Sequence, residues 1–249
     1  MRNLFFISLV ILAGCQQLQL NKPEAEKPVV QYDGRKAEIK KLADTAREKG
    51  DLNTAAQIEA QLIALDDKDS NSIIALSKTL RKMQKYNESK LLLEDSIKKN
   101  PTDDLLIIDL AKTLLYMGDA DASIGRLSLV KTHKDRDFYN TQGVAYENIS
   151  KHKEAQEAFK AGLALNPNDD LLQNNLALSY IIDKRYDDGI KILESLANGP
   201  KSSPKYRQNL ALAYGAKANP EKAMELLLKD MSRKEAEENL QFYKNMNKK

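Results

Sequence analysis

Residues 136–169 read RDFYNTQGVAYENISKHKEAQEAFKAGLALNPND. Two small residues, Gly143 and Ala155, stand where two helices can approach each other closely. Tyr146 and Phe159 supply the bulk that fills the space beside them. Pro167 lacks an N–H and clashes with the turn before it, so it stops the second helix. The stretch therefore predicts a pair of antiparallel helices, A and B, closed by a proline.

Working outward, the same pattern returns along the chain. Small residues occur at Ala43, Ser77, Ala111, Gly143, Ala177 and Ala211, in steps of 34, 34, 32, 34 and 34. Tyr146, Tyr180 and Tyr214 follow the last three at a constant offset. Twelve residues after each small residue come Ala55, Ser89, Ser123, Ala155, Gly189 and Ala223, all of them small again. Pro101 repeats the place of Pro167. Apolar residues recur at three and four spacings, as in Leu105, Ile108, Leu110, Ala111, Leu114 and Leu115, and no β-type alternation appears. Such a fixed period marks a repeat architecture. The units run about 36–69, 70–103, 104–135, 136–169, 170–203 and 204–237. The third is two residues short, a deficit placed in the turn near Thr132-His133-Lys134. The pattern resembles the tetratricopeptide repeat, on whose signature places Tyr139, Gly143, Tyr146, Ala155, Phe159 and Pro167 fall. That resemblance implies an all-α, right-handed solenoid of about six helix pairs. An amphipathic stretch, Arg233 to Met246, is expected as the C-terminal capping helix that covers the last apolar face.

The chain has 249 residues, enough for a sizeable core. Lys plus Arg is 39 and Asp plus Glu is 36, an excess of +3 that gives no argument for nucleic acid. One cysteine, Cys15, excludes an internal disulfide and any zinc site of several thiolates. Arg2 followed by an apolar run from Leu4 to Ala13 fits an export signal and is too short to span a bilayer. The run ends Leu12-Ala13-Gly14-Cys15, which resembles the lipobox of bacterial lipoproteins, with Cys15 as the acylated residue. Several acyl chains give lasting membrane attachment. The absence of Asp at the next position, Gln16, implies the outer membrane, facing the periplasm. Residues 1–14 are thus expected as signal peptide, 15–35 as lipidated cysteine and tether, 36–237 as solenoid, and 238–249 as the end of the capping helix and tail. Such a tether reaches roughly 25 Å.

In a solenoid of this kind helix A of each repeat lines the concave side, where segments of other proteins bind. The family's groove places fall here on Lys78, Arg81 and Lys82, on Lys112 and Tyr116, on Asn140, Val144, Glu147 and Asn148, on Asn174, Leu178 and Ile181, and on Gln208 and Leu212. Asn140, Asn174 and Gln208 recur 34 apart; such amides either hold a ligand backbone or bond between neighbouring repeats. Lys78, Arg81 and Lys82 share one face, which is either merely solvated or attracts an acidic segment. Leu178 and Ile181 are apolar at groove places where no structural need for them is evident. His133 and His152 read as exposed turn residues without carboxylate partners at ligand spacing. No metal site, cofactor, small-molecule substrate or catalytic constellation is expected. Asp66-Asp67-Lys68-Asp69 and Asn168-Asp169-Asp170 read as inter-repeat turns, where Asp and Asn are natural helix N-caps.

The C-terminal third carries a narrower resemblance. Asn174-Asn175-Leu176-Ala177-Leu178-Ser179-Tyr180 is followed by Arg207-Gln208-Asn209-Leu210-Ala211-Leu212-Ala213-Tyr214-Gly215 and then Glu238-Asn239-Leu240-Gln241-Phe242-Tyr243. This series is similar to the lipoprotein family of the tight-adherence (Flp) pilus called TadD. Lys217-Ala218-Asn219-Pro220 departs from its Gly-Asp type turn, so a different edge is expected there. The resemblance implies a non-enzymatic assembly factor whose partners are other pilus-assembly proteins, the secretin foremost, with the membrane reached through the lipid. A type IV pilus pilotin, and an adaptor that scaffolds cell-wall hydrolases or a protease, share the same architecture and stay open on the residues alone.

Overall fold

The computed structural model describes residues 29–246, with side chains over 35–243. The expected signal peptide and Cys15 lie outside the described residues. Helices pair in chain order: α1 (Val29–Glu48) with α2 (Leu52–Leu65), α3 (Ser70–Lys82) with α4 (Tyr86–Lys99), α5 (Asp104–Tyr116) with α6 (Ala120–Leu127), α7 (Arg136–Asn148) with α8 (His152–Leu165), α9 (Asp170–Ile182) with α10 (Tyr186–Asn198), and α11 (Pro204–Ala216) with α12 (Pro220–Leu227). The last helix, α13 (Arg233–Met246), packs on α11 and α12. These are the six pairs and capping helix that the 34-residue period predicts. No described helix is long and apolar enough to cross a membrane. The first helix starts at Val29, so the stretch 29–35 expected as tether is helical. Its sparse apolar pattern hid it.

The small residues fix the pairing. Ala43, Ser77, Ala111, Ala177 and Ala211 on the A helices are at most 1% exposed, and so are Ala55, Ser89, Ser123, Ala155 and Ala223 on the B helices. Gly143 and Gly189 are buried at the matching places. A methyl on Gly189 would fall 2.8 Å from the Ala177 carbonyl oxygen, which shows how closely the backbones approach. Bulkier side chains fill what remains: Leu93, Leu110, Phe159, Leu172, Leu193 and Leu227 are fully buried. Each such side chain contributes about 1.5–3 kcal/mol by leaving water.

Turns and caps repeat as strictly as the core. Gly50, Gln84, Gly118, Ser150, Lys184 and Ala218 stand at one place in successive A–B turns, and all six take a left-handed backbone. Ala218 adopts the conformation that glycine takes at Gly50 and Gly118, so the last turn keeps the common form in spite of its different sequence. Asp51, Asp69, Asp103, Asp119, Asp135 and Asp169 cap six helices with side-chain bonds to backbone N–H groups, and Asn219 caps α12.

In repeat three α6 ends at Leu127 after 8 residues. The chain then folds back onto one carboxylate. Asp104 accepts the N–H groups of Lys131 (3.1 Å), Thr132 (2.7 Å) and His133 (2.9 Å), and the Thr132 hydroxyl at 2.9 Å. Burial pushes this carboxyl up, but the backbone bonds outweigh it and hold Asp104 well below the usual carboxylate range. A depressed native value stabilises the fold above the unfolded value and ceases to do so as pH falls through the native one. Asp104→Asn is therefore expected to cost about 1.5–3 kcal/mol at neutral pH. The gap to the parent chain should narrow as pH drops below about 4. Urea midpoints of both chains across pH check this; a gap that stays constant into acid contradicts it.

Candidate functional site

Successive A helices touch one another: α3 meets α5, α5 meets α7, α7 meets α9 and α9 meets α11. No comparable B-to-B contact occurs among the described residues, so the stack closes towards its A side. On that side, between α3, α5 and α7, lies an open cavity of about 670 Å³. Its lining includes Lys78, Arg81, Lys82, Lys112, Tyr116, Asn140, Val144 and Asn148. Eight residues read from the sequence as groove places thus share one hollow. Ile74, Asp109, Leu115, Asp137 and Thr141 complete it. Sequence reading missed both aspartates.

The floor is polar and tightly bonded. Arg81 grips Asp109 with two hydrogen bonds, Nη1 to Oδ2 at 2.7 Å and Nη2 to Oδ1 at 2.9 Å. Its Nη1 also donates to Ser77 Oγ (2.6 Å) and Thr113 Oγ1 (2.9 Å). Ser77 Oγ is 2.8 Å from Ser89 Oγ and donates to Asp109 at 2.6 Å. Arg81 is therefore a structural cation. Of the face read as either solvated or open to an acidic segment, Arg81 is the member already engaged, since both Asp109 oxygens hold it. Lys112 is likewise engaged, with Nζ 2.5 Å from Asp137. Burial raises the Asp137 carboxyl, but the Lys112 bond and the charges of Lys112, Arg136 and Lys78 prevail and hold it below its ordinary value. Above this floor Tyr116 is 61% exposed, its ring stacked on Tyr86 at 5.8 Å. Lys78 and Lys82 are exposed beside it.

The far half of the A-helix face differs from expectation. Asn175 Nδ2 donates to Asn140 Oδ1 (2.7 Å), Asn174 Nδ2 to Asn175 Oδ1 (3.2 Å), and Asn209 Nδ2 to Asn174 Oδ1 (2.7 Å). These amides run from α7 through α9 to α11 and tie repeat to repeat; Asn174 is 1% exposed. Of the two readings open for these amides, Asn140 and Asn174 show the bonds between neighbouring repeats, while Asn140 also lines the hollow. Gln208 is half-buried on α11, outside this series. Ile181 is buried among Ala177, Ile190 and Leu193, where it fills the space left by Gly189. Leu178 and Leu212 pack half-buried against the same cluster. Both Leu178 and Ile181 thus have the structural reason that the sequence concealed. Glu147 accepts from Ser179 Oγ and pairs with His152 Nδ1 at 2.9 Å. His152 is half-buried with a carboxylate partner, and His133 has Asp135 at 3.1 Å. No group of three or more His, Cys, Asp or Glu suited to a metal occurs among the described residues.

A tetratricopeptide-repeat family model matches residues 137–169. The fold is a tetratricopeptide-repeat solenoid. A tetratricopeptide repeat protein from Parabacteroides merdae superposes with a TM-score of 0.65 at 11% identity, over 84% of this chain and 84% of its own. PilF of Pseudomonas aeruginosa gives a TM-score of 0.64 at 12% identity, over 80% of this chain and 91% of its own. A chain of the APC/C hetero-tetramer Cut9–Hcn1 gives 0.70 at 16% identity, over 84% of this chain and 43% of its own. At these identities the likeness is one of fold. No curated protein matches the sequence. A tetratricopeptide-repeat solenoid is an interaction scaffold, and in this one an open hollow lies across repeats two to four.

Proposed function

We propose that this solenoid is a lipid-anchored assembly factor of the tight-adherence (Flp) pilus, held at the outer membrane through Cys15 and facing the periplasm. In this reading it localises or oligomerises the secretin in the manner of a pilotin. The observation that carries the protein-binding part is the 670 Å³ hollow across three A helices. The Leu12-Ala13-Gly14-Cys15 sequence supports the anchor. The terminal series from Asn174 to Tyr243 supports the pilus assignment, and the shared fold with PilF is consistent with it.

Cells lacking the protein, complemented with the parent chain or with Cys15→Ser, test the reading. The readout is the heat-stable secretin multimer on a gel and the membrane fraction in which it is found. The expected result is loss or misplacement of the multimer in the deletion, with the monomer still made, and no full rescue by Cys15→Ser. A normal multimer in the normal membrane without this protein removes the secretin mechanism. Outer-membrane fractionation of Cys15→Ser unchanged from the parent removes the anchor.

A further inference from the structure

The charges of the hollow do not cancel. Six charged residues line it: Lys78, Arg81, Lys82, Asp109, Lys112 and Asp137. Asp109 is held by Arg81 and Asp137 by Lys112, to which Lys78 adds its charge, and Lys78 and Lys82 are the lysines without a bonded carboxylate. Both are exposed, and neither forms an ion pair or a hydrogen bond among the described residues. They stand one turn apart on α3, so their Cβ atoms are about 5–6 Å apart. Lys78, Arg81, Lys82 and Lys112 outweigh Asp109 and Asp137, and this excess beside low-dielectric walls concentrates a positive potential in the hollow.

The apolar part lies on the next helices. Tyr116 is exposed to solvent, and its ring is held by stacking on Tyr86 and by the Arg81 guanidinium 5.9 Å from its centroid. Half-buried Leu115 and Val144 continue the surface. A fixed aromatic face loses little conformational freedom on contact. In an extended chain, residues two apart point to the same side at about 6.6 Å, and the residues between them point to the other. Lys78 and Lys82 stand on α3 and Tyr116 on α5, so alternate side chains of such a segment can meet different helices of the one hollow.

Resting on the reading of this hollow as the partner site, we propose that it takes an extended segment of a partner protein in which acidic residues alternate with apolar ones. The carboxylates face Lys78 and Lys82, and an apolar side chain lies on Tyr116.

The probe is a fluorescein-labelled nine-residue peptide of alternating Glu and Leu with terminal glycines, read by anisotropy on the full solenoid. Its counterpart carries Gln for every Glu. The expected result is saturable binding of the Glu peptide, at least tenfold weaker for the Gln peptide and for K78E/K82E. Raised salt should weaken the Glu peptide. Tyr116→Ala should reduce affinity severalfold at every salt concentration. Lys98→Glu with Lys153→Glu, on the outer helices α4 and α8, should bind as the parent does. Equal binding of the two peptides, an equal loss in the outer-helix variant, or no binding at all overturns the proposal. The four lysines are exposed, so these variants are expected to fold, and far-UV circular dichroism verifies it.

The secretin assay keeps the two readings apart. If deletion abolishes the multimer and K78E/K82E restores it in full, the acidic-segment proposal falls and the assembly role stands. If the peptide binds as expected and deletion leaves the multimer intact, the assembly role falls and the proposal stands.

Discussion

Asp109→Ala is expected to destabilise the solenoid by about 3–5 kcal/mol, because it strands a buried guanidinium without its counter-charge. The Arg81 side chain is 9% exposed and that of Asp109 is 3% exposed. Alanine removes both acceptors of the bidentate pair and the acceptor of the Ser77 hydroxyl together. Arg81→Met combined with Asp109→Leu should cost far less than Asp109→Ala, since an apolar pair of similar volume leaves no buried charge behind. Repeats couple to their neighbours only, so weakening the seam between repeats two and three should also broaden the urea transition. A midpoint for Asp109→Ala within about 1 kcal/mol of the parent means that water reaches the pair in solution, and the buried network is then wrong.

The second large effect belongs to repeat four. Phe159 is 1% exposed, and Phe159→Ala should cost about 3–5 kcal/mol through the cavity it leaves. Its ring occupies the room that glycine provides at position 143: a methyl there would stand 2.6 Å from Phe159 Cδ1. Gly143→Ala must push the ring aside and should cost about 1–3 kcal/mol. The two positions share one space, so Gly143→Ala with Phe159→Leu should cost less than the sum of the single changes. Strict additivity in urea unfolding would show that helices α7 and α8 do not close on each other as described.

What the sequence revealed was whatever repeats. Ala43 to Ala211 and Ala55 to Ala223 mark helix contacts because a close approach admits only small side chains, and the requirement returns with every pair. The groove places from Lys78 to Asn148 were legible for the same reason: position in the unit determines which side of the stack a residue faces. Partners in adjacent units were hidden. Arg81 looks like an available cation until Asp109, 28 residues on, is seen to hold it. Asn174 looks like a ligand contact until Asn209 is found bonded to it. Ile181 looks out of place on an inner face until the missing side chain of Gly189 makes room for it. The turn after α6 is gathered by one carboxylate, Asp104, which accepts three backbone N–H groups from it. No local propensity at residues 128–135 announces that.

The hydrogen bonds between units keep a constant stride. Arg47 Nε reaches Thr79 Oγ1 at 3.0 Å, and Arg81 Nη1 reaches Thr113 Oγ1 at 2.9 Å, the second pair displaced from the first by one whole unit. Cutting out residues 70–103 would therefore bring Arg47 opposite Thr113, threonine in place of threonine, with Asp109 delivered to the same neighbourhood. A gene encoding such a chain can lose or copy one unit without stranding the residues on either side of the join. The chemistry of that joint would remain as it was, whereas the next joint differs, since Leu115 stands one unit on from Arg81.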